Sequence, residues 1–206
     1  MQTLDRSAAN NDAEETRSFI VEQSIELFAH YGYSKTNIGD IAQACSMSAG
    51  NLYRYFRNKQ AIGHAVIASF FARENTLMNT AMEPPGSAEE RIRAVMTAAV
   101  MHIVEELRRA PKIVELAEMI CETEEGIALV GQHVGGCHAR LSALIAEGAA
   151  AGEFNVQDAD RAARAMQMGT KFFIVPFAIA RHGLDNVEED LALTLDLICA
   201  GLRQGT

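Results

Sequence analysis

The sequence predicts an all-α protein: an N-terminal three-helix unit of helix-turn-helix type, followed by a larger helical domain. Three observations point there. The 206 residues include only 4 prolines and 15 glycines against many Ala, Leu, Glu, Arg and Met, a balance that favours helix over sheet. Apolar residues recur at about 100° per residue, on stretches bounded by capping residues. No segment alternates with strand period, and no fixed-length repeat is present.

Taken in order, residues 1–12 (MQTLDRSAANND) read as a disordered tail. The first helix is expected from about Ala13 to Tyr31, with Ile20, Val21, Ser24, Ile25, Leu27, Phe28 and Tyr31 on one side and Gly32 ending it. Asn37 and Asp40 form a capping-box signature for a second helix, Ile38 to about Cys45. Ser48 suits the N-cap of a third, through Phe56. Asn58 starts a long fourth helix that ends before Pro84-Pro85-Gly86, a natural boundary. Ser87 with Glu90 opens the next, to about Ala110, and Pro111 suits the first helical position of the one after it, to about Glu122. Further helices are expected over 125–151, ending at Gly152, over 157–182 with an interruption at Pro176, and over 187–203.

Charge is distributed unevenly. Residues 1–59 sum to −1 and residues 60–206 to −8, within a net −9. No acidic residue lies between Asp40 and Glu74, and that gap holds Arg54, Arg57 and Lys59 together with Asn51, Tyr53 and Tyr55. Such side chains stack, donate to phosphate and read base edges, so one end of an acidic molecule is expected to bind nucleic acid in a salt-dependent way. Cys45, Cys121, Cys137 and Cys199 are widely spaced and lack CxxC, as expected of reduced thiols. There is no secretory apolar run in residues 1–12 and no stretch of spanning length; a cytoplasmic protein without membrane contact is expected.

The span from Tyr31 to Lys59, YGYSKTNIGDIAQACSMSAGNLYRYFRNK, carries Gly32-Tyr33, then Thr36-Asn37-Ile38-x-Asp40-Ile41-Ala42, then Ser48-x-Gly50-x-Leu52-Tyr53-x-Tyr55-Phe56-x-x-Lys59. In these features it resembles the N-terminal domain of the TetR family of bacterial transcriptional regulators. The resemblance covers about a quarter of the chain. It implies a DNA-binding domain over 13–59 and an effector-binding and dimerisation domain over 60–206. It also implies that the third helix enters the major groove. Carried over by position, Thr36, Tyr53, Tyr55 and Lys59 become phosphate contacts, Ser48 caps the recognition helix, and Ala49, Gly50, Asn51 and Arg54 lie near base edges. Two positions depart from the family pattern. Ser46 stands where a glycine is usual, and Ala49 where a lysine is frequent. Lys59 opposes the dipole of the helix it begins, which an external phosphate would explain.

The resemblance further implies a repressor that binds a pseudo-palindromic operator as a homodimer and is released by a small molecule; a regulator controlled by a protein partner or by abundance is the alternative. Candidate effector contacts are Met78, Met82, Met96, Met101, His102, Met119, Met166, Phe172 and Phe173, since methionine adapts to apolar ligands. The last two helices are apolar on more than one side. Phe173, Phe177, Leu191, Leu195, Ile198 and Leu202 are the candidate dimer contacts, with burial inside the protomer as the alternative. Gly131, Gly135 and Gly136 are unusual inside a helix, and three readings stay open: close helix approach, a break, or room for a ligand. His133, Cys137 and His138 have spacing compatible with metal, but no metal or cofactor is expected. No phosphate-cradling loop, nucleophile elbow or HExxH occurs, so no enzymatic activity is expected.

Overall fold

A computed structural model describes the backbone of residues 2–205 and the side chains of 12–205. Among the described residues all regular structure is helical, and no helix is long and apolar enough to cross a membrane. Helix α1 spans Gln2–Tyr31. It therefore includes most of the segment expected as a disordered tail; 1–12 contains no Gly or Pro to stop a helix propagating backwards from Ala13. Gly32 ends α1 in the left-handed region (φ 90), donating its N–H to the Phe28 carbonyl at 2.9 Å.

Helix α2 (Ile38–Ala44) carries the expected box. Asp40 N–H donates to Asn37 Oδ1 at 3.1 Å, and Asn37 N–H to Asp40 Oδ2 at 2.8 Å. Helix α3 is shorter than expected, Ala49–Leu52, and continues as turns to Phe56. Asn58 caps α4 (Lys59–Met82), and Ser87 with Glu90 boxes the start of α5 (Ala88–Arg109). Pro111 sits in the turn before α6 (Ile113–Ile120) and not at its first position. Thr123 caps α7 (Glu124–Ala150). The segment expected as one interrupted helix is α8 (Ala159–Gly169), a 3-10 turn (Lys171–Ile174) and α9 (Pro176–His182). The break precedes the proline, at Gly169-Thr170, and Pro176 begins a helix, where its missing N–H is harmless. Helix α10 spans Val187–Gln204.

Two cores result. The first joins Ile20, Phe28, Tyr33, Ile41, Leu52 and Phe56 of the N-terminal head to Ile62 and Val66 of α4, and it also takes in Leu116 and Ile120 of α6. The second is built around α5, whose Ile92, Val95, Val100 and Ile103 are buried among residues of α7, α8 and α10. Gly126 seats α7 on the end of α6: a Cβ there would lie 2.0 Å from the Ile120 carbonyl oxygen.

The second core corrects the expected dimer face. Leu191, Leu195 and Leu202 are buried, as is Phe173, all within the protomer. Ile198 packs on the edge of the same core, and Phe177 lines a cavity. The stripe with the more regular helical spacing went to α5, the partner within the chain. The opposite side of α8, the 3-10 turn and α10 carries the surplus: Met168, Phe172, Leu193 and Leu197 are exposed, Leu197 at 78%. A Cβ on Gly169 would lie 3.4 Å from Ile198 Cδ1, so Met168 and Leu197 flank one contact between the two helices. Gly131, Gly135 and Gly136 have open space where a side chain would be, which excludes close helix approach at them within the protomer.

Candidate nucleic-acid interface and internal cavity

The turn between α2 and α3 places Ser46 at φ 55, a left-handed residue where the side chain costs something that glycine would not. Met47 N–H still reaches the Ala42 carbonyl at 2.9 Å, so the turn closes. Ser48 Oγ then accepts from Asn51 N–H at 3.2 Å and fixes the start of α3. Leu52 and Phe56 point into the head core. Ser48, Ala49, Gly50, Tyr53 and Arg54 are left exposed on one surface, with Asn51 and Tyr55 half-buried beside them. At Gly50 nothing but Ser48 Oγ, at 3.9 Å, comes near the Cβ position, so α3 presents bare backbone outward. Arg17 of α1 braces this element from behind: it donates to the Tyr55 carbonyl and lies 4.3 Å over the Phe56 ring.

Two expected phosphate contacts are engaged elsewhere. Thr36 is buried; its hydroxyl donates to the Gly32 carbonyl at 2.9 Å and its N–H to the Tyr33 carbonyl at 3.2 Å. Lys59 Nζ donates to the carbonyls of Tyr33 (3.0 Å) and Thr36 (2.9 Å) and sits 4.2 Å over the Tyr33 ring. The conflict of Lys59 with its helix dipole is thus resolved by internal acceptors, without an external phosphate. Both residues position the α1–α2 turn. Lys35, exposed in that turn, has no partner among the described residues, and neither has Arg54. Reading the sequence missed Lys35; the signal was its place beside Thr36 in the loop leading into α2. Arg57 is paired with Glu125 of α7. With Ser34 donating to Glu115 and Lys112 to the His30 carbonyl, it ties the head to α6 and α7.

Behind the head, α4, α5, α6, α7 and the 170–177 segment enclose a cavity of about 270 Å³. Of the expected contacts, Met78 and Met96 line it. Met82, Met101 and Met166 belong to the α5 core, Met119 packs on the head core, Phe173 is buried away from the cavity and Phe172 is exposed. His102 stacks on Phe70 (4.5 Å between centroids), and burial pushes its pKa down. The walls come instead from apolar residues such as Phe70, Phe71, Ala99 and Val134, with a few polar groups: Glu74, Glu106, His133, Cys137, Arg140 and Gln167. Glu74 is 4% exposed. Its Oε1 lies 3.3 Å from His133 Nε2, and Cys137 Sγ lies 3.7 Å from that same nitrogen. The His133 ring stacks parallel on Phe71 at 4.0 Å. Burial opposes protonation of His133, but the hydrogen bond to Cys137 and the Glu74 carboxylate outweigh it and raise the pKa to about 9. His138 is not part of this group; it faces Asp160 (2.6 Å) and Gln167 (3.0 Å). Arg140 is held by Asn79 at 3.0 Å.

An exposed α3 ahead of a helical body is a common arrangement, and the matches to known proteins decide which one this is. Residues 20–66 match the model for bacterial regulatory proteins of the tetR family, and residues 88–193 match that for the tetracyclin repressor-like C-terminal domain. The chain belongs to the TetR family. It is a TetR-family transcriptional regulator with a helix-turn-helix DNA-binding head. It is 26% identical over 165 residues to the HTH-type transcriptional regulator TtgR of Pseudomonas putida, covering 75% of this chain and 76% of that one. Over 48 residues, 23% of this chain and 22% of the other, it is 42% identical to the probable acrEF/envCD operon repressor of Escherichia coli K12. In fold it is similar to a TetR/AcrR-family regulator from Thermobifida fusca, with TM-score 0.71 and 22% identity over 92% of this chain and 99% of that one. The fatty acid degradation regulator FadR of Bacillus halodurans shares the fold at TM-score 0.69 and 18% identity, over 91% and 96% of the two chains.

Proposed function

We propose that this regulator is a homodimeric repressor released from a pseudo-palindromic operator by a small apolar molecule held in the cavity. One observation carries the reading: the cavity and the head core share side chains. Ile67 of α4 and Ile120 of α6 both line the cavity and belong to the head core. A molecule that displaces either helix must therefore disturb the packing that orients α3. The requirement is different affinity for the two orientations, not tight binding alone. In this reading the head contacts DNA through Ser48, Ala49, Gly50, Asn51, Tyr53, Arg54 and Tyr55, with Lys35 added, while Thr36 and Lys59 hold the turn. Two copies meet through Met168, Phe172, Leu193 and Leu197, four of the apolar side chains that the protomer leaves uncovered. The functional division near residue 59 is one of roles, since α4 and α6 serve both cores.

The experiment pairs two readouts on one set of apolar compounds: the melting temperature of the protein, and its affinity for a duplex it selected from a random pool. A compound at about a hundred times its Kd stabilises the protein by about 2.7 kcal/mol. The expected result is that such a compound also weakens operator binding, and that Ala99→Phe, which fills the cavity, removes both effects. A compound that raises the melting temperature through the cavity and leaves operator affinity unchanged contradicts release by effector, and leaves control by a protein partner or by abundance.

A further inference from the structure

We propose that Glu74, His133 and Cys137 form a binding site for one zinc-class divalent ion in the cavity wall. The three donor atoms all lie within 4.8 Å of one another. A tetrahedral zinc, with bonds of about 2.0–2.1 Å to nitrogen and oxygen and about 2.3 Å to sulfur, sets its nitrogen and oxygen ligands about 3.3 Å apart and its nitrogen and sulfur about 3.6 Å apart. Here Nε2 of His133 is 3.3 Å from Glu74 Oε1 and 3.7 Å from Cys137 Sγ. The two spacings to the ring nitrogen thus already match two edges of a zinc tetrahedron, and the third donor pair lies within 4.8 Å.

Three further features support it. His133 and Cys137 stand at i, i+4 on α7, and Glu74 comes from α4, so the site bridges two helices that both line the cavity. Carboxylate and sulfur converge on the same ring nitrogen, whose single hydrogen can point at only one of them; a cation in its place serves both. A thiolate and a carboxylate together neutralise a dication, which suits the nearly buried position of Glu74 among apolar walls. Mixed sulfur, nitrogen and oxygen donors favour zinc or cobalt, whereas magnesium and calcium take sets of oxygen ligands. Arg140, also in the cavity wall, is turned to Asn75 and Asn79. The three residues, all in the cavity wall, leave one tetrahedral position for water or the donor group of a bound molecule. The site is a matter of metal binding and stands whether or not the cavity controls operator release.

Titrating Co²⁺ into the chelator-stripped full chain, followed by absorption, tests it. The expected result is one equivalent per chain, with a sulfur-to-cobalt charge-transfer band and the strong visible bands of four-coordinate cobalt, both abolished by Zn²⁺. Cys137→Ser loses the charge-transfer band. Glu74→Gln and His133→Gln weaken zinc binding by more than about a hundredfold, beyond what a supporting residue costs. Cys121→Ser and His138→Gln retain the wild-type spectrum. Cys137→Ser is nearly isosteric at a half-buried position, and far-ultraviolet circular dichroism checks each variant's fold. Absence of the charge-transfer band in the wild type overturns the proposal, as does a band that survives Cys137→Ser or disappears with Cys121→Ser.

Discussion

Replacing Asn51 and Arg54 together by alanine lowers operator affinity by roughly two to four orders of magnitude, at about 1–3 kcal/mol for each side chain that no longer reads a base edge. The fold is expected to survive, because neither side chain has an intramolecular partner among the described residues and neither enters the head core. Affinity for unrelated duplexes falls far less, since Lys35, Tyr53 and the start of α3 still hold phosphates. Equilibrium binding to the selected operator and to a scrambled duplex, at one salt concentration, separates the two terms. An equal loss on both duplexes contradicts base reading by these residues and leaves them as backbone contacts. Thermal melting tests the reassignment of Lys59: Lys59→Ala is expected to lower the melting temperature, because its partners are protein carbonyls.

Leu193→Asp with Leu197→Asp yields a folded monomer whose operator affinity is lower by roughly 10²–10⁴, the contribution of linking two half-site contacts. Both leucines are more than half exposed, so a carboxylate at either position remains in water in the separated protomer. Between two copies the same carboxylates would be buried and unpaired, a cost of several kcal/mol. Leu195 is the control from the opposite side of α10: at 1% exposure it packs against α5, and Leu195→Asp is expected to unfold the body instead. Sedimentation equilibrium and circular dichroism together distinguish these outcomes. A double variant that remains dimeric places the interface elsewhere on the molecule.

Helix boundaries were legible in the sequence wherever a side chain fixes them locally. Asn37, Ser48, Asn58 and Ser87 each cap the helix they were expected to cap, because a capping bond involves residues three apart and little else. What depends on tertiary partners was less legible. The apolar faces of α8 and α10 were visible, but periodicity does not say which face meets α5 and which is left over. The family resemblance carries Thr36 and Lys59 over as phosphate ligands, yet Thr36 donates to the Gly32 carbonyl in its own turn, and Lys59 reaches from α4 to the carbonyls of Tyr33 and Thr36. The cavity illustrates the same limit. Methionine content suggested its lining, whereas its polar group joins Glu74 to residues 59 and 63 positions away in sequence, and no local pattern links them. His138 shares the spacing of a ligand and is drawn off by Asp160 on α8.

In the proposed reading α3 and its flanking cations meet the phosphates and bases of a duplex, although the chain as a whole carries a net charge of −9. The decisive quantity is the slope of log association constant against log salt for the selected operator. A steeply negative slope is expected, shallower by about one unit per protomer when a single phosphate-contacting cation is removed. A slope near zero, unchanged by Lys35→Ala, would contradict it.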